Sequence, residues 1–188
     1  MASKTDLINI SVNVYHDPKI ENQYQPGDNW SSIEKLENKN TGFYAEAYRN
    51  KNTGEVVIAY RGTDQKDGGD WQNNLHIGIG KTPEQYQDAI LFYDEVARKY
   101  GSGNVIVTGH SLGGAETGAT TVAFNAPGVA HLLPEIGINS PASPSSYSNI
   151  KNYSLANDIL NLLNIAYGLQ QLGGVYIIPS TGDKSVDA

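Results

Sequence analysis

The stretch VIVTG, residues 105–109, is a short β-branched run that stops on a glycine. The residues that follow, His110-Ser111-Leu112-Gly113, complete the pattern G-x-S-x-G. The bare motif is weak, and its context is what gives it force. A serine between two glycines presents its hydroxyl only if a buried strand runs in and a helix leads out, holding the turn at the carboxyl edge of a sheet. VIVTG in front and LGGA behind meet that demand. Glycines beside the serine spare the clashes that side chains would make where strand and helix crowd together. The motif therefore predicts an α/β chain with Ser111 as a nucleophile. An incidental serine in a glycine-rich β-to-α turn is the plain structural alternative.

The rest of the chain fits an α/β reading. FYAEAYR (43–49) alternates in polarity and EVVIAY (55–60) is nearly continuous in its apolar residues. NKNTG between them predicts a hairpin whose second strand is central. TPEQYQDAILFYDEVARKYG (82–101) is the clearest helix. Thr82 can cap it, Pro83 suits its first turn, Gln85 completes a capping box, and Tyr86, Ile90, Tyr93, Ala97 and Tyr100 form one stripe. TTVAFN (120–125), NYSLAN (152–157) and GGVYIIP (173–179) predict further strands. DILNLLNIAYGLQQL (158–172) predicts a helix or a packed lid. Residues 1–42 read as a helix or extended piece plus loops. These elements predict a mostly parallel central sheet with an antiparallel hairpin and flanking helices, an α/β-hydrolase-like fold.

Length and composition narrow the function. A chain of 188 residues predicts one domain, and the absence of cysteine excludes disulfides and thiolate chemistry. A net charge of −7 without a basic cluster argues against a nucleic-acid partner. No apolar run reaches the length of a membrane-spanning helix. The amino terminus has neither the apolar core nor the cleavage site of a signal peptide, so the sequence predicts a soluble chain and leaves its compartment open.

VTGHSLGG, AYRGTD with DWQNN behind it, and FNAPG come in an order that resembles the class 3, or fungal-type, lipases. These are α/β-hydrolases that cleave carboxylic esters of lipids. The resemblance covers about residues 40 to 180, and bacterial lipases and phospholipase effectors are nearest in character. It implies a lipid or ester substrate, transient contact with a lipid surface, and no cofactor. It also implies that the hydroxyl residue of the Arg61-Gly62-Thr63 block donates to the oxyanion, a role that maps onto Thr63. The backbone N–H of Leu112, beside the nucleophile at a helix amino end, is the expected second donor. Asp64, Asp67 and Asp70 match no calcium-loop pattern and read as a solvated acidic loop, so no metal is expected. Trp71 reads as a packing anchor.

An activated serine needs an imidazole, and the imidazole needs a carboxylate. In hydrolases of this class the chain order is Ser, Asp, His. Asp158, directly after NYSLAN, fits the acid and is also placed to cap a helix. His16, His76, His110 and His131 all precede Asp158. His110 is expected to point away from Ser111, His16 to lie at the surface, and His76 and His131 are weak alternatives as the base. No His follows Asp158. Only AETGA (115–119) separates LGG from TTVAFN, shorter than a crossover helix. Both departures lead to the expectation that residues are missing after 115 and after 188. The main expectation is a serine lipase or phospholipase acting through an acyl-enzyme. The alternatives are an inactive binding protein of the same fold, a short-chain carboxylesterase, or an acyltransferase.

Overall fold

A computed structural model describes residues 1–16, 24–61, 82–109, 118–136 and 143–179. Seven strands form one sheet in sequence order: β1 Trp30–Asn38, β2 Phe43–Asn50, β3 Val56–Tyr60, β4 Val105–Gly109, β5 Thr120–Phe124, β6 Ile150–Leu155 and β7 Gly174–Ile178. β1, β2 and β3 pair antiparallel, and every pairing from β3 to β7 is parallel. The predicted hairpin is thus two strands of a three-stranded antiparallel end.

Two helices cover the centre of the sheet from opposite faces. α1, Lys4–Asn13, starts on a capping box in which Ser3 Oγ accepts from Asp6 N–H and Asp6 Oδ2 accepts from Ser3 N–H. Leu7 and Ile10, with Val14 just beyond the helix, pack on Trp30, Tyr48, Val57, Ala59 and Val122. α2, Thr82–Tyr100, packs Ala89, Phe92, Tyr93 and Val96 on Ala45, Ala47, Ile58, Tyr60 and Val107 on the other face. Every residue of β3 is buried, as its apolar run predicts. Full burial of a side chain such as Ile58 contributes about 1.5–3 kcal/mol.

Local expectations change or gain detail at three places. The buried face of α2 is centred on Ala89, Phe92, Tyr93 and Val96; Ile90, Ala97 and Tyr100 are only half-buried. Gln85 reaches out of its helix. Its Nε2 donates to the carbonyl of Thr41 in the β1–β2 turn, whose residues also hold Asp88: Asn38 Nδ2 and Thr41 Oγ1 donate to Asp88 Oδ2 at 2.9 and 2.8 Å. Residues 30–38, WSSIEKLEN, form an edge strand instead of a loop. Its pairing shifts register between Ser32 and Glu34, which breaks the alternation that would have marked it. The third helix, α3 at Ile159–Tyr167, confirms the helical alternative for residues 158–172 and ends at Gly168.

Candidate functional site

Because β3, β4, β5 and β6 run parallel, their carboxyl ends share one edge, and each predicted site residue follows one of those ends. Tyr60, the last residue of β3, pairs with Gly109, the last of β4, which pairs in turn with Ala123 of β5. Gly109 has φ 116, and a Cβ there would be driven into the carbonyl oxygen of Tyr60. The first glycine of G-x-S-x-G is therefore required by a close strand contact as well as by its turn. Tyr60 is pinned from below: its buried hydroxyl donates to Ala89 O of α2 at 3.0 Å. Ser111, Leu112, Thr63, His76, His110, the acidic loop 64–70 and Trp71 lie outside the described residues, as does most of the AETGA connector.

Asp158 stands three residues beyond the end of β6. Its Oδ1 accepts from Leu160 N–H at 2.9 Å and from Asn161 N–H at 3.4 Å, so it is the amino-terminal cap of α3. Its own N–H donates to Leu155 O at 3.1 Å, folding the strand end back on itself. Asp158 is half-buried. β5 alone separates β6 from β4, so the Asp158 turn starts about 10 Å along the edge from the end of β4.

A set of amides holds this turn. Asn125, in a left-handed conformation with φ 46, donates from its N–H to Tyr153 O and accepts from Leu155 N–H at Oδ1. Ala126 O accepts from Asn164 Nδ2 at 3.1 Å and from Gln171 Nε2 at 2.6 Å, while Gly128 N–H donates to Asn164 Oδ1 at 2.7 Å. At Gly128 a Cβ would collide with the backbone of Leu169 and Gln170. The FNAPG block is thus a clamp between β5, α3 and the segment before β7. Sequence reading recognised the block but not its partners. The available signal was a pair of asparagines, Asn161 and Asn164, within an otherwise apolar helix; both are buried and hydrogen-bonded.

The end of β3, at Arg61, is held by charge. Glu46 of β2 is 1% exposed. His16 Nε2 lies 2.8 Å from its Oε2, Lys35 Nζ lies 3.0 Å from its Oε1, and Tyr44 donates to Oε2 at 3.3 Å. Burial pushes the Glu46 carboxyl up, but hydrogen bonds from Ser32, Lys35, His16 and Tyr48 outweigh it and hold the group below its usual range. An ionised carboxylate only accepts, so Nε2 of His16 carries the proton. Burial, then the Glu46 charge, pushes the Tyr44 hydroxyl up to about 12. Glu46 lies on the same side of β2 as Tyr44 and Tyr48, where Tyr48 packs against α1. His16, read as a surface residue, is exposed, with 40% of its side chain accessible, and its Nε2 also meets this buried carboxylate. His131 is exposed in a 3-10 turn, Ala130–Ile136.

Among the described residues no helix is long and apolar enough to cross a membrane. The folded chain is similar to several fungal lipases of known structure. It overlays the Lip2 lipase of Yarrowia lipolytica with a TM-score of 0.59 at 16% identity, over 93% of this chain and 77% of that one. For the Rhizomucor miehei lipase in its propeptide complex the values are 0.60 and 16%, over 97% and 71%. For lipase II of Rhizopus niveus they are 0.59 and 16%, over 94% and 79%. At these identities the likeness establishes the fold, an α/β-hydrolase-like sheet. No curated protein matches the sequence. A family model described as phospholipase-like, the Tle-like phospholipase domain, matches residues 13–179. The chain accordingly belongs to the Tle-like phospholipase family, whose chemistry is the hydrolysis of lipid carboxylic esters by a serine hydrolase.

Proposed function

We propose that Ser111 is the nucleophile of this hydrolase and that it attacks the acyl carbonyl of a glycerophospholipid. The N–H of Leu112 and the Thr63 block stabilise the tetrahedral oxyanion, Asp158 orients the imidazole that takes the serine proton, and water releases the acid from the acyl-enzyme. One observation carries this reading: the ends of β3, β4 and β6, from which Thr63, Ser111 and Asp158 follow, lie along one edge of one sheet. Asp158 Oδ1 serves the helix cap, and Oδ2 is the oxygen the imidazole would take. No described His is assigned as that base, because His16 is committed to Glu46 and His131 follows β5, ahead of the acid. We read residues 1–188 as one lipase-like domain that uses no cofactor.

Lipid-surface contact belongs to the same reading. Residues 159–182 contain no charged side chain, in a chain with 33 Asp, Glu, Lys and Arg. Leu162, Ile165 and Tyr167 of α3 and Val175 to Ile178 of β7 are exposed. The Tle-like match fits an exported bacterial effector, which a secretion assay in the source cell would test.

The deciding experiment is labelling with a fluorophosphonate followed by peptide mapping, beside acid release from phospholipid and a chain-length series of p-nitrophenyl esters. An adduct on Ser111, lost in Ser111→Ala, is expected. Asp158→Asn should lower kcat by about 10³–10⁴ through loss of imidazole orientation. A folded chain that forms no adduct and cleaves neither ester class would establish an inactive binding protein instead.

A further inference from the structure

Arg61 is the last residue before Gly62-Thr63, and a single residue meets it twice, once through its main chain and once through its side chain. Its N–H donates to Tyr44 O at 2.9 Å, and its guanidinium carbon lies 4.8 Å from the centre of the Tyr44 ring. Tyr44 is itself fixed by Glu46 Oε2, at 3.3 Å from its hydroxyl, and by the His16 ring, which meets it edge-on at 5.9 Å. Lys35 of β1 holds the other oxygen of Glu46. The array thus joins the end of α1, β1, β2 and the end of β3 around one buried carboxylate. A well-packed apolar group of similar volume would serve stability at least as well as a buried ion pair. What the charge supplies and an apolar group would not is a fixed direction: it orients the Tyr44 hydroxyl, and hence the ring face on which Arg61 rests.

We propose that Tyr44 and Glu46 are positioning residues for Arg61 and, through it, for Gly62 and Thr63, which follow it in the chain; this rests on the assignment of Thr63 to the oxyanion site. Donors to an oxyanion act only when held within a fraction of an ångström of the developing charge, and misplacing them penalises the transition state more than substrate binding. Loss of the grip on Arg61 should therefore lower kcat and leave KM nearly unchanged. His16 and Lys35 hold Glu46 in place and do not themselves reach Arg61.

The test uses the full chain, a soluble short-chain p-nitrophenyl ester and the ¹⁵N-resolved Nε–H resonance of Arg61. Tyr44→Leu is expected to lower kcat about 10-fold with KM changed less than about 2-fold, while Tyr44→Phe, which keeps the ring but loses the hydroxyl that Glu46 holds, and Glu46→Gln, which keeps the hydroxyl but loses the charge, should each lower it only about 3-fold. In the parent the Arg61 resonance should be sharp and shifted by the ring. It should move to the solvent-exposed position in Tyr44→Leu. Thermal melts set the assay temperature below the transition of every variant. An unchanged kcat in Tyr44→Leu, or kcat and KM that change together, overturns the proposal. Fluorophosphonate labelling of Ser111 in the parent tests the hydrolase reading separately. If no adduct forms, that reading falls, and the Arg61 resonance alone decides the grip: an unshifted signal in the parent overturns it.

Discussion

Two strand ends on the same sheet edge are secured by opposite means. The turn carrying Asp158, after β6, is tied by neutral amides: Asn125 accepts from the Leu155 N–H of β6, and Asn164 and Gln171 bond the main chain of Ala126 and Gly128, just after β5. The end of β3 at Arg61 is tied through a buried carboxylate, a tyrosine and two cationic or titratable side chains. Amides satisfy buried peptide groups without introducing charge, so the hold on Asp158 is indifferent to pH and salt. A buried charge is expensive to desolvate and holds firmly only while it stays ionised. Asp158, as the proposed acid of a triad, needs an invariant seat. The β3 end, under half-exposed His16 and exposed Lys35, has a fixture that protons and salt can loosen.

The largest stability loss is expected at the amide end. Asn164→Leu removes the donor to Ala126 O and the acceptor for Gly128 N–H and leaves the latter buried without a partner. We expect a loss of about 2–4 kcal/mol, since each unsatisfied buried group costs about 1–3 kcal/mol. Urea unfolding measures it, and the loss should be the same at pH 4 and pH 7. A deficit that changed with pH would break the contrast between the two ends.

Glu46→Gln is expected to cost less, about 1–3 kcal/mol at neutral pH, as charged hydrogen bonds are exchanged for neutral ones. Here the pH dependence has a definite sign. The folded carboxyl is held below its ordinary value of 4.5, so its contribution is complete above that pH and fades as pH falls through the lower folded value. Urea midpoints of parent and variant should therefore differ above about pH 5 and converge in stronger acid. Asp6, also lowered, is common to both proteins and cancels in the difference. Midpoints that stayed parallel down to pH 3 would mean that Glu46 contributes through shape alone.

This contrast also marks what was legible in the sequence. Strongly periodic or continuously apolar segments were readable: β3, β4, β5 and α2 declare themselves because burial dictates their composition. β1 was not, because an edge strand exposes most of its polar residues and its register shift breaks the alternation. The burial of Glu46 was not legible, because alternation shows which residues share a face but not whether that face is covered. The position of Asp158 was readable from its place after a strand, whereas the amides that hold it were not. Asn164 and Gln171 meet Ala126 only after some 40 residues of chain have folded back.

Asp158 caps α3 and is proposed as the triad acid, and its substitutions separate the two. As a cap it offers one oxygen to Leu160 and Asn161, a task an asparagine performs about as well. As the proposed triad acid it needs a negative charge, which asparagine lacks. Asp158→Asn should thus shift stability by no more than a few tenths of a kcal/mol, whereas Asp158→Ala, which also loses the cap, should cost about 1 kcal/mol. Both should abolish turnover to a similar extent. If asparagine were as destabilising as alanine, the charge itself would be holding the turn, and the β6 end would depend on ionisation as the β3 end does. If asparagine kept both stability and turnover, Asp158 would be a cap alone, and the amides would be holding a structural corner, with the acid to be sought elsewhere on the edge.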